Sequence, residues 1–194
     1  MDEALRGELL ALIADDDATR ERLARDGSLF AGYHPEMEAV HRTNAARLRA
    51  IVEARGWPDR ALVGADGASA AWRILQHAIG EPDLMRGMLP LVRDAAKRGD
   101  ASTAEVAMLE DRIRVLAGRL QLYGTQFDWN DDGTAMVPSV GVEDPDHVDE
   151  RRAAVGLPPM TWRRPPPHDE PPPRDLAARR AEMEAWALRV GWRR

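Results

Sequence analysis

Residues 35–58 read PEMEAVHRTNAARLRAIVEARGWP, and their spacing decides the fold class. Met37, Val40, Leu48, Ile51 and Val52 recur at the intervals of one helix face, and Pro35 stands where a helix start tolerates proline. Gly56-Trp57-Pro58 stops the run, so a helix from Pro35 to about Arg55 is predicted. His41 and Asn44 fall on the same apolar line and are predicted to face inward.

The same period continues on both sides. Leu5, Leu9, Leu12, Ile13 and Leu23 predict one amphipathic helix or a pair over residues 2–25, with Asp15-Asp16-Asp17 read as a solvated face or a break. Gly27–Pro35 reads as a loop, and so does Asp59–Gly67. A third helix is predicted over Ala68–Ile79 and a fourth over Asp83–Arg98, kinked at Pro90. Ser102 and Glu105 form a capping-box pattern ahead of a fifth helix with Val106, Leu109, Ile113 and Leu116 inside and Gly118 at its end.

The β signal is a loose alternation over Leu120–Trp129, a turn at Asn130-Asp131-Asp132-Gly133, and Thr134–Val140, which together predict a β-hairpin. Asp144 and Pro145 then open a short helix through Val155. The fold class is therefore mainly α: a compact domain of five to six helices with one small hairpin, over residues 1–157. Residues 158–173, PPMTWRRPPPHDEPPP, read as an extended proline-rich linker. Within 174–194, Leu176–Val190 reads as an amphipathic helix with Leu176, Met183, Trp186, Ala187 and Val190 on one face; alone it is too short to be stable in water, so it needs a docking surface.

Composition excludes several classes of function. The absence of cysteine from all 194 residues removes disulfides, thiolate metal sites, iron–sulfur clusters and cysteine nucleophiles. The N-terminus lacks the positive start and continuous apolar stretch of a secretory signal, and no run is long enough to span a bilayer, so a soluble cytoplasmic protein is expected. Residues 1–150 carry 17 basic and 28 acidic side chains, whereas 151–194 carry 10 and 5. An acidic body disfavours nucleic acid as a partner, and the opposite sign of the arm suits its lying on the body. Arginine supplies all the basic residues but Lys97, a usage that points to a GC-rich bacterial genome.

No phosphate-binding loop, nucleophile elbow or zinc-protease motif is present. What remains is polar residues set in apolar surroundings: His41 and Asn44, Gln76-His77 near a helix end, Asp111-Arg112 inside the fifth helix, and Gln121, Tyr123, Thr125 and Gln126 around Gly124. Each has a structural explanation, as a satisfied core hydrogen bond, a helix-end dipole contact, a surface ion pair or a hairpin stitch.

In combination these segments resemble a bacterial domain-of-unknown-function family, number 6624. The likeness rests on Gly56-Trp57-Pro58, Leu62-Val63-Gly64, Ala70-Ala71-Trp72, Gln76-His77-Ala78, Leu109-Glu110-Asp111-Arg112, Gly118, Gln121 and Tyr123-Gly124-Thr125-Gln126. Val148-Asp149-Glu150-Arg151-Arg152 and Val155-Gly156-Leu157-Pro158 extend it, so it covers about residues 1–160. Glu110 stands where the family pattern has threonine. The resemblance implies that Gln76-His77, Asp111-Arg112 and the Tyr-Gly-Thr-Gln segment share one site; it implies no activity, and it does not reach the arm.

Two readings of function follow. In the first, the chain is an enzyme or ligand-binding protein for a small molecule or peptide, with His77 as general acid/base, Asp111 orienting it, and His41, Gln76, Arg112, Gln121, Tyr123, Thr125 and Gln126 fixing the substrate. A metal held by His41, His77 and Asp111 is the weaker form of this reading, because no two lie at a familiar ligand spacing, and no metal or other cofactor is assigned. In the second, the body is a scaffold and the arm, with Trp162, Trp186 and Trp192, binds a partner or a second copy of the chain.

Overall fold

The computed structural model describes residues 1–30, 32–164 and 173–194. Among them are seven α-helices and one two-stranded hairpin, so the fold is mainly α as the spacing predicts. The chain forms two compact units, Met1–Ser102 and Thr103–Arg194.

In the first unit, α1 (Glu3–Arg25) is a single helix started by Asp2, whose carboxylate accepts from Leu5 N at 3.0 Å. Leu5, Leu9, Ile13 and Leu23 are its buried stripe, and Asp16 lies on that stripe rather than on a solvated face. The next helix, α2 (Pro35–Arg55), buries Met37, His41, Asn44, Ala45, Leu48 and Ile51, confirming the inward direction of both polar residues. Asn44 Nδ2 donates to Leu12 O on α1 at 3.1 Å.

α3 (Arg60–His77) begins earlier than its sequence suggests. Asp59 caps a first turn where a loop is expected, and Gly64, at φ 75° and ψ 175°, then breaks the helix before it resumes. That conformation is open to glycine and little else. Gly67, Ala68, Ala70 and Ala71 are buried beyond the break, and this run of small side chains lets α1 pack closely on α3, with α2 against both. α4 (Pro82–Lys97) buries Leu84, Met85, Met88, Leu89, Val92 and Ala95, and the helix continues through Pro90.

The second unit starts with α5 (Thr103–Leu116), which buries Ala107, Leu109, Asp111 and Leu116. The hairpin pairs β1 (Phe127–Trp129) with β2 (Met136–Pro138), antiparallel, with Asp128 opposite Val137. Asp144 does not cap the helix after it: at φ 45° its carboxylate takes His147 Nδ1 instead, and α6 (Val148–Ala154) follows a short 3₁₀ turn. Residues 165–172 of the proline-rich stretch, where an extended linker is predicted, lie outside the described residues.

α7 (Leu176–Val190) forms where predicted and belongs to the second unit. Trp186, Ala187 and Trp192 are buried, while Met183, expected on the docking face, is exposed. Arg179 bonds Asp128 at 2.6 Å, Arg180 bonds Trp129 O at 2.8 Å, and Arg193 donates to the carbonyls of Val115 and Leu116 at the end of α5. Arg179, Arg180 and Arg193 thus meet acidic and carbonyl groups of their own unit. No helix among the described residues is long and apolar enough to cross a membrane.

Candidate functional site

Three helices of the first unit bring a carboxylate and two imidazoles together. Asp16, in the middle of α1, is fully buried; His41, on α2, is nearly so; the His77 side chain, at the last residue of α3, is 23 % exposed. His77 Nδ1 lies 2.8 Å from Asp16 Oδ2 in a hydrogen bond. His41 Nε2 is 3.3 Å from the same oxygen but not in hydrogen-bond geometry, and neither it nor Asp16 Oδ1 has a hydrogen-bond partner among the described residues.

The far side of His41 is held by Tyr33, whose hydroxyl is 2.9 Å from Nδ1. The two imidazole centroids are 5.2 Å apart, and Gln76 is buried beside His77. Burial pushes the Asp16 carboxyl up, but the adjacent His41 and His77 outweigh it and hold it well below the usual carboxylate range. Burial, followed by the charges of Glu38 and Asp16, pushes the Tyr33 phenol up, so it stays neutral in physiological conditions. One residue on, Asp17 pairs with Arg73 on α3, which ties the two helices together next to the cluster.

Asp111 has a different occupation from the one expected of it. The carboxylate bonded to His77 is that of Asp16, whereas Asp111 is buried in the second unit and accepts from Leu122 N at 2.7 Å, Tyr123 N at 3.2 Å, and Thr125 N and Oγ1 at 3.0 Å. Gln121 does likewise, donating to Gln126 O and Ser139 O and accepting from Gln126 N, each at 2.8 Å. The Tyr-Gly-Thr-Gln segment is therefore a turn whose amide donors are gathered by two buried side chains.

Arg152, buried on α6, serves the acceptors of that turn. Its guanidinium donates to Tyr123 O at 2.5 Å and to Pro158 O at 2.6 Å. Thr125 and Gln126 are half-buried and bonded to each other at 3.2 Å; Tyr123 and Arg112 are half-buried. Of the residues expected in one site, then, His41, Gln76 and His77 lie in the first unit, and Asp111, Arg112, Gln121, Tyr123, Thr125 and Gln126 in the second.

Asp16, Tyr33 and Arg152 are absent from the sequence-based site. For Asp16 a signal existed: it stands three residues after Ile13 and seven before Leu23, in phase with the stripe. Tyr33 sits in a stretch with no period, and Arg152 on a short polar helix gives no sign of burial.

Fold and cluster together define a mainly α-helical protein of two units, the first carrying a buried aspartate under two histidines. It belongs to a family of unknown function, DUF6624, whose model matches residues 3–163. The match spans both units and stops before α7. No curated protein and no solved structure matches the chain.

Proposed function

We propose that this is a cytoplasmic bacterial enzyme or ligand-binding protein for a small molecule or peptide, and that its working groups are Asp16, His41 and His77. The observation that carries the reading is the state of Asp16: a carboxylate with no solvent exposure, one oxygen in contact with two imidazoles and the other without a hydrogen-bond partner among the described residues. Burying a charged group so incompletely satisfied costs free energy that apolar side chains would not, and such costs concentrate at sites kept for function. His77, the member most open to solvent, meets the ligand, and Asp16 takes the orienting role that the sequence suggested for Asp111.

The second unit has less in favour of a ligand. Both oxygens of Asp111 and the amide of Gln121 are occupied by backbone groups, which supports a structural role for that turn. The arm as a partner-binding element is also less supported, because Trp186 and Trp192 are buried.

The test is a ¹H–¹³C spectrum of the histidine rings in the full chain during titration with small carboxylates, amides, phosphate and dipeptides. At least one probe is expected to move the His41 and His77 signals together while exposed His147 stays fixed. Shifts confined to His147, or none at all, would overturn the reading.

A further inference from the structure

We infer that the ligand of this cluster includes a divalent transition-metal ion of the Zn²⁺ class, held by Asp16, His41 Nε2 and His77 Nδ1. The inference rests on the preceding reading that these three residues are the working site, and it makes the bound chemistry specific.

Geometry is the first support. Ligands about 2.0–2.1 Å from a metal lie roughly 2.9 Å apart in octahedral and 3.4 Å apart in tetrahedral arrangement. The two imidazole nitrogens are 2.8 and 3.3 Å from Asp16 Oδ2, and one ligand atom from each residue falls within a 4.8 Å span. Coordination would draw the ligand atoms from that span to a triangle with edges of about 3 Å.

The second support is the pattern of unmet bonding. A closed hydrogen-bonded network would use His41 Nε2 and both oxygens of Asp16. Here His41 Nε2 and Asp16 Oδ1 are buried without hydrogen-bond partners among the described residues. They belong to the two most buried members of the cluster, and a cation held by the carboxylate and His41 Nε2 would give that nitrogen the partner it lacks. The ion also replaces the proton shared by Asp16 and His77 Nδ1 while leaving the same residues at the centre.

Outer contacts fit as well. A ligating imidazole commonly gives its other N–H to an oxygen, which fixes the tautomer and the ring direction. Tyr33 Oη stands 2.9 Å from His41 Nδ1, so Nδ1–H donating to Tyr33 presents the Nε2 lone pair to the ion. Two imidazole nitrogens with one carboxylate favour Zn²⁺, Fe²⁺ or Mn²⁺ over Ca²⁺ or Mg²⁺, which take oxygen ligands. Three protein ligands leave a coordination position open, the arrangement of catalytic rather than structural zinc. His77 lies at the exposed edge, where a substrate oxygen or water reaches that position.

The experiment is Zn²⁺ titration of the chelator-stripped full chain, read by competition with a chromophoric chelator, and repeated with Co²⁺ to record its d–d bands. One saturable ion per chain is expected, with the tight phase lost in His41→Ala and in His77→Ala, kept in His147→Ala, and weakened about 10-fold in Tyr33→Phe. Circular dichroism of each variant separates loss of a ligand from loss of the fold, and His77→Gln, a change at a half-open helix end, provides the folded control should His41→Ala unfold. Binding that survives loss of both histidines, or no saturable binding, would overturn the proposal. If Zn²⁺ fails to bind while the organic probes still move His41 and His77, the metal alone is excluded; if both fail, so does the site.

Discussion

Asp111→Ala is expected to destabilise the second unit by about 3–5 kcal/mol, the largest effect of any single substitution considered for this protein. The carboxylate gathers the backbone N–H groups of Leu122, Tyr123 and Thr125 and the Thr125 hydroxyl inside the unit. Alanine leaves those donors buried and unpaired, and each orphaned group costs roughly 1–3 kcal/mol, reduced where water enters the space. For a unit of this size the loss corresponds to a fall of about 15–25 °C in thermal midpoint. Hydrogen exchange gives the local signature: the amides of Leu122, Tyr123 and Thr125 lose protection first. Asp111→Asn is no rescue, because its NH₂ faces backbone N–H groups. A midpoint within a few degrees of the parent's would show that the turn does not depend on Asp111.

Arg152→Met is the second large effect, at about 3 kcal/mol, and acts on the same turn from its acceptor side. The guanidinium reaches Tyr123 O and Pro158 O, so methionine fills the stem's volume but strands both carbonyls. Lysine keeps the charge without the fork that meets two carbonyls at once, and is expected to recover little. Because Asp111 and Arg152 grip one segment, the double variant is expected to lose measurably less than the two single losses added together. Strict additivity in chemical denaturation would mean that the two residues hold separate pieces of structure.

The helices were legible because burial is periodic: Met37, Leu48 and Ile51 on α2, and Leu84, Met85, Met88 and Val92 on α4, are buried as their spacing requires. The first turn of α3 was not, because Gly64 and Gly67 read as loop residues, whereas one breaks the helix and the other lets α1 approach. His41 and His77 stood out as polar residues in apolar runs. Asp16 did not, since in Asp15-Asp16-Asp17 the neighbours suggest solvent; only its phase with Ile13 and Leu23 gives it away.

Spacing along a chain also cannot say which carboxylate an imidazole meets across a fold. Asp111 was the aspartate nearest to other suggestive residues, while its actual partners, three backbone amides and a hydroxyl, have no sequence signature. The arm shows the same limit. Its helix and Trp186 could be read from residue types, but the use of Arg193 to close the end of α5 depends on the tertiary fold.

Whether the Asp16–His41–His77 cluster is kept for function or for stability is decided most directly by removing all three polar groups together, at nearly constant volume, as Asp16→Ala/His41→Leu/His77→Leu. In chelator-containing buffer the triple variant is expected to gain about 1–2 kcal/mol, because an apolar core replaces an incompletely bonded buried charge, and its midpoint should rise by roughly 5–10 °C. A fall of the same size would contradict the functional assignment and make the cluster a bonded part of the core.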